Sequence, residues 1–320
     1  MVHLGEMLTG LLGAAAAYGR ILLILGLVLG IFSPDLAVAA KPWIQEMIAA
    51  LLFLSALRIG PQQMVGVARD ISHTVAGVLI FQLLLPVLLA LAFLGFGWTG
   101  ILPTALVLMA AAAPISGSPN LAIMAGHDPA PALRLLTLGT ALLPLTVLPV
   151  FWLVPALGSG SDVLAAAARL LGVIALSVAL AFAIRVLFLR DLQPSAVQSI
   201  DGLSAILMGV VVIGLMSAVG PTLFEAPGEL ALNLAVVFAT NFALQIATAS
   251  LLRRVGEDHV AVPFAVVAGN RNMALFLAAL PVTVTDPLLL FIGCYQIPMY
   301  LTPVLLHRFY RPGTPVSLRR

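Results

Sequence analysis

The chain alternates long apolar stretches with short polar ones. At about 20 residues per bilayer crossing, the pattern predicts ten spans, near residues 15–32, 43–60, 73–96, 101–126, 131–155, 163–189, 196–218, 229–252, 261–280 and 287–309. The gaps carry turn residues, as in Ser33-Pro34-Asp35, Gly158 to Asp162 and Arg190 to Pro194. Two spans break the pattern from within. The ninth holds Gly269, Asn270, Arg271 and Asn272 at its centre, and the fourth holds Pro114, Ser116, Gly117, Ser118, Pro119 and Asn120. An arginine at mid-helix depth costs ~2.5–3.5 kcal/mol on insertion scales, and such residues face a protein interior or a cavity. Proline removes a backbone donor and glycine weakens a helix. Both spans are therefore predicted to be broken helices with free backbone groups beside polar side chains, a device of secondary transporters.

The two halves echo each other. Pro144 and Pro149 in span five are matched by Pro298 and Pro303 in span ten. Asn120-Leu121-Ala122 is matched by Asn272-Met273-Ala274, and Gly60-Pro61, at the predicted end of span two, by Gly220-Pro221 at the end of span seven. The matches keep their order, about half a chain apart. Five spans per half is an odd number, so the halves, 1–158 and 159–320, are expected to be inserted with opposite orientation. The fourth and ninth spans then become symmetry mates that cross at their breaks. Arg20, Ile21 to Phe32 and Ala37 to Ala40 also have the shape of a signal peptide. The long stretch before them, and the repeat's need for a first helix, favour a retained span.

Composition sets the class. Hydrophobic residues make up 62% and charged residues 9%, with mean hydropathy +1.14, against about 25% charged in soluble domains. The chain reads as an all-α polytopic membrane protein with a lipid bilayer as its solvent, no room for a large soluble domain, and no nucleic-acid partner. The single Cys294 excludes an internal disulfide and a cysteine metal cage. The histidines fall near predicted helix ends. Acids such as Asp70, Asp128 and Asp191 are isolated rather than catalytically spaced, so an enzyme is not expected.

Charge gives the orientation. Arg20, Arg58, Arg69, Arg134, Arg185, Arg190, Arg253, Arg254, Arg308, Arg311, Arg319 and Arg320 fall on or near one side, and Lys41 and Arg169 on the other. The positive-inside rule puts both termini in the cytoplasm of a cell (inner) membrane, with the basic tail from Arg311 as an anchor near anionic lipid.

At Pro114 to Asn120, Pro144 to Pro149 and Gly269 to Leu275 the chain resembles the bile acid:sodium symporter family, as a divergent member. The resemblance implies ten helices in two inverted five-helix repeats. It implies a monomer in which a core of helices three to five and eight to ten rocks against a panel of helices one, two, six and seven. It also implies sodium ligands: Asn120 and Asn272 match the family's two asparagines and Gly269 its glycine. Gln82, followed by Pro86, resembles a helix-three glutamine, and Thr137 and Thr140 fall near hydroxyls of helix five. The chain departs where the charge should be. The family's helix-nine glutamate aligns with Val267, its glutamine with Arg271 and its helix-four serine with Pro119. A hard cation wants oxygen ligands and a negative field, and here a fixed cation has replaced the acid.

Two readings of Arg271 follow: a guanidinium that binds the oxyanion of a substrate, or a built-in cation that neutralises helix-end carbonyls where sodium would sit. Pro114, Ser116, Gly117, Ser118, Asn120, Gly269, Asn270, Arg271 and Asn272 form the expected substrate site. Asn120, Asn272, Gln82, Thr137 and Thr140 are the expected ion ligands, with sodium as the only possible cofactor. Gln82, Asn241, Gln245 and Gln296 also suit helix-to-helix hydrogen bonds. Glu46 and Asp201 are the remaining candidates to carry a proton. The expectation is a secondary transporter of a small or amphipathic organic anion. Its rivals are a sodium-independent carrier or exporter and a non-transporting receptor of the same fold.

Overall fold

The computed structural model describes residues 2–65, 71–189 and 192–311. Arg69, Asp70, Arg190, Asp191, Arg319 and Arg320 lie outside the described residues. The described chain forms helices α1 (Val2–Ala17), α2 (Gly19–Phe32), α3 (Pro34–Ala40), α4 (Ile44–Val65), α5 (Ile71–Leu79), α6 (Leu85–Gly95), α7 (Ile101–Ala111), α8 (Ser118–Met124) and α9 (Ala130–Trp152). It continues as α10 (Gly160–Leu187), α11 (Pro194–Leu215), α12 (Val219–Glu225), α13 (Pro227–Arg254), α14 (Asp258–Gly269), α15 (Ala274–Leu277), α16 (Val282–Thr285), α17 (Leu289–Leu305) and α18 (His307–Tyr310).

Among the described residues, seven helical stretches are long and apolar enough to cross a membrane; α1 and α2, bent by 78° at their junction, would make an eighth. Only 22% of the most apolar window of α10 is buried, although its hydropathy reaches 2.5. Leu176 and Leu187 point outward at 71% and 70% exposure. An apolar surface this extensive has no place in water. The molecule is a multi-pass membrane protein.

Two sequence expectations are corrected here. The first apolar segment does not start at residue 15, since a whole helix, α1, precedes α2 and packs along α11. Gly60-Pro61 does not end its helix, because α4 continues to Val65. Spans four and nine are each two helices separated by non-helical chain, as their prolines, glycines and polar centres predict.

Local sequence accounts for several of these elements. The N–H of Ser159 donates to the Asp162 carboxylate at 2.8 Å, which caps the start of α10. Between α5 and α6, residues Ile80–Leu84 widen into a π-turn, as happens where a following proline cannot continue the ladder. On one side α11 gathers α1, α2 and α4, with α10 against α4; on the other, α9 gathers α5, α8 and α14, and α13 lies between α14 and α17. The approach of α2 to α11 is close enough that a Cβ on Gly26 would lie 2.6 Å from the carbonyl oxygen of Gly209. Small residues permit that contact between apolar helices.

An ion pair ties distant parts of the chain at one end of the bundle: Lys41 Nζ lies 2.9 Å from the Asp286 carboxylate, with both side chains over a third exposed. Pairs of this exposure are worth ~0–1 kcal/mol. Lys41→Gln is expected to change the unfolding temperature little, and 0.5 M salt should erase what difference there is. A large, salt-insensitive loss would show that the pair is buried by something further.

Candidate functional site

The site forms where the two broken helices meet. α7 stops at Ala111 because Pro114 cannot donate, and α8 restarts at Ser118 with Pro119 in its first turn, where proline is tolerated. α14 stops at Gly269 and α15 restarts at Ala274. The two interruptions pair with each other. The N–H of Ile115 donates to the Asn270 carbonyl at 3.1 Å, and that of Asn272 to the Ala113 carbonyl at 2.7 Å. The result is a short antiparallel bridge between Pro114 and Arg271. Backbone that would otherwise lie unsatisfied at membrane depth is thus paired across the crossing.

Arg271 takes three further carbonyls. Its side chain, 1% exposed, donates from Nε to the Ala268 carbonyl at 3.0 Å, from NH1 to the Ala112 carbonyl at 3.2 Å and from NH2 to the Phe81 carbonyl at 3.4 Å. Each acceptor has a reason to be free. Ala112 lies just past the end of α7. The N–H four residues beyond Ala268 belongs to Asn272 and is spent on Ala113. At Phe81, the N–H of Leu85 bonds Ile80 instead, and Pro86 has none to offer. The guanidinium also sits over the Phe81 ring, 5.3 Å from its centroid. Among the described residues no carboxylate forms an ion pair with it.

A buried polar network braces the second break from behind. Asn241 on α13 donates to the Gly269 carbonyl at 2.5 Å, and the Tyr295 hydroxyl donates to the same oxygen. Gln245 donates to the Asn241 side-chain oxygen at 2.5 Å and to the Thr302 hydroxyl at 3.1 Å, and it accepts from Tyr310 at 2.6 Å. The Thr302 hydroxyl lies 3.3 Å from the Asn270 side-chain oxygen, while the Asn270 amide donates to the Val266 carbonyl at 2.8 Å. Asn241 and Gln245 therefore sit in helix-to-helix hydrogen bonds. Tyr295, Thr302 and Tyr310 complete a brace that no pattern in the sequence singled out.

Beside the crossing lies a cavity of about 500 Å³, within the range of small-molecule sites. The structure sorts the expected site residues against it. Pro114, Ser116, Gly117, Asn272, Thr137 and Thr140 line it, as does Arg271, while Asn120, Ser118, Gly269, Asn270 and Gln82 do not. Asn120 sits on an exposed face of α8, because a helical turn restarted at Ser118 aims it away from the crossing. Gly269 and Asn270 are buried against α13 and α17. Ser118 Oγ is buried and unpartnered. Gln82 is 1% exposed and donates to the Gly139 carbonyl at 3.1 Å, leaving its own oxygen unpartnered. Thr137 Oγ1 is likewise buried without a partner, on the cavity wall.

These groups do not fit a sodium ion at the crossing. The oxygens that would face it are neutral, Val267 is apolar, and a guanidinium already occupies the carbonyls. Among the described residues no cluster of His, Cys, Asp or Glu suits a metal. Glu46 and Asp201 do not line the cavity, and Asp201 is bound to Arg58 at 2.5 Å. No protein-family profile matches the chain. No curated protein matches it either.

Proposed function

We propose that this chain is a secondary carrier for a small amphipathic organic solute, that it works without sodium, and that it is a divergent relative of the bile acid:sodium symporters. One observation carries the reading: a buried arginine, free of acidic partners among the described residues, caps the three orphaned carbonyls at the meeting point of two broken helices, beside a cavity. In a sodium symporter of that fold a cation would complete the crossing from solution. Here the cation is covalently part of the chain.

In this reading α1 with α2, the interrupted pairs α7–α8 and α14–α15, and the seven long stretches make up ten crossings, arranged as two inverted halves, 1–158 and 159–320. A core built on α5 to α9 and α13 to α17 moves against a panel of α2, α4, α10 and α11, with the cavity between them. Both termini lie in the cytoplasm, and the exposed Trp43, Trp98 and Trp152 form an interfacial belt on the opposite face. Arg271 then serves the fold of the crossing rather than contacting an oxyanion: although it borders the cavity, its side chain is 1% exposed and its three nitrogens each bond a backbone carbonyl.

The test needs no substrate. Thermal unfolding of the protein in nanodiscs is compared in sodium, potassium and choline chloride at equal ionic strength. A ligand at a hundredfold excess over its Kd would add ~2.7 kcal/mol. The expected result is superimposable curves. A saturable rise specific to sodium would overturn sodium independence and restore a symporter.

A further inference from the structure

We infer that the ligand of this cavity is uncharged: a molecule with one apolar face and one edge of neutral hydrogen-bonding groups. The inference rests on the carrier reading only in placing the ligand in the cavity beside the crossing. It assigns what that reading leaves open, the charge and shape of the solute, and it departs from the organic anion that Arg271 suggests in the sequence.

The walls differ in kind. Residues contributed by α2, α4, α10 and α11 are Leu, Ile, Val, Ala, Phe and Met, with Ser55 the one polar side chain among them. The facing wall, from the two breaks, α9 and α17, presents Ser116, Thr137, Thr140, Asn272, Gln296 and Tyr300. Gln296 and Tyr300 are partly engaged, through a bond from Gln296 to the Ile292 carbonyl at 3.2 Å and one from Tyr300 to Gln296 at 3.3 Å. The Thr137 hydroxyl is buried without a partner at this wall. An unpaired buried hydroxyl is costly, and a ligand donor or acceptor at this edge relieves it. Neutral hydroxyls and amides on one side and hydrocarbon on the other select a facially divided molecule.

The field in the cavity selects against charge. Among the described residues Arg271 is the one Arg, Lys, His, Asp or Glu on its wall. Its guanidinium lies on the Phe81 ring and bonds the Ala268 and Ala112 carbonyls. Those carbonyls belong to the C-terminal ends of α14 and α7, each carrying about half a negative charge. Those two ends lie against the guanidinium and offset part of its charge. An anion entering the cavity finds a guanidinium whose three nitrogens each already donate to a backbone carbonyl. A cation finds no carboxylate among the described residues of the wall. Either would lose its hydration to an apolar wall without compensation.

The experiment uses three probes of one shape at pH 7: 2-naphthylacetamide, 2-naphthylacetate and 2-(2-naphthyl)ethylammonium. Equilibrium binding to the full chain in nanodiscs is measured, with empty nanodiscs subtracting partition into lipid. The expected result is saturable binding of the amide, at least tenfold tighter than either charged probe. Thr140→Val is expected to weaken the amide several-fold while the unfolding temperature stays within a degree or two. Carboxylate binding as tight as the amide, or no saturable amide binding, overturns the proposal. An unchanged amide affinity in both Thr140→Val and Thr137→Val overturns the polar edge as its basis. Because binding is read at equilibrium, a protein that binds the amide but moves no solute across proteoliposomes fails the carrier reading alone.

Discussion

Arg271→Met is expected to unfold at a markedly lower temperature than the parent, with a loss on the order of 3–5 kcal/mol from buried acceptors left unpaired. The physical cause is three carbonyls, at Phe81, Ala112 and Ala268, left without donors in a dry interior, each costing about 1–3 kcal/mol before relaxation. Arg271→Lys keeps the charge but replaces a rigid fork by a compact ammonium, so it should fall between the two. Arg271→Gln is the informative variant. It removes the built-in cation and leaves oxygens behind, so sodium, against choline at equal ionic strength, is expected to recover part of the lost stability. Differential scanning fluorimetry in nanodiscs reads all three. A methionine variant as stable as the parent would sink the role given to this residue, and a glutamine variant indifferent to sodium would sink its equivalence to the ion.

Gly269→Ala has the second-largest expected effect. A Cβ at this position would lie 2.5 Å from the Asn241 carbonyl oxygen and would overlap the Gln245 side chain. Overpacking typically costs about 1–3 kcal/mol. The upper end is expected here, because the obstacle includes the backbone of α13 and because moving it loosens the Asn241 and Tyr295 bonds to the Gly269 carbonyl. Gly172→Ala in α10 is the control: nothing lies within 4 Å of its would-be Cβ, and alanine in a helix interior should stabilise by roughly 0.5–1 kcal/mol. Opposite shifts for the two substitutions are the expected outcome in thermal unfolding. Equal shifts would mean that the close approach at Gly269 is not a constraint.

Much of the architecture was legible in the chain because bilayer solvation is an averaging force. A run of some twenty apolar residues forms a helix wherever it lies, so the long stretches from α4 to α17 were foreseeable within a few residues. The breaks were legible for a related reason: Pro114, Gly117, Gly269 and Asn270 sit where the surrounding hydropathy demands a helix they cannot continue. Missed was α1, whose packing along α11 is a tertiary contact with no periodic signature strong enough to announce it.

The site was only half legible. Residue type singled out Ser116, Thr137, Thr140 and Asn272, which line the cavity, but it could not separate them from Asn120, Ser118 and Asn270, which are equally polar. The difference is a rotation of about 100° per residue along a helix, and where α8 resumes its turn depends on how Ile115 and Asn272 pair across the crossing. Arg271 shows the same limit. Its presence at membrane depth was evident from the chain alone, and so was its need for partners. Which partners it has depended on three carbonyls from separate helices becoming orphans within reach of one side chain. One of them, at Phe81, is free only because Leu85 bonds a residue further back and Pro86 has no hydrogen to give. The sequence by itself determined that this is a membrane-embedded helical protein with two polar interruptions and a buried cation. The tertiary structure alone decided that the cation faces inward onto backbone, because long-range packing chooses among partners that local chemistry leaves equivalent.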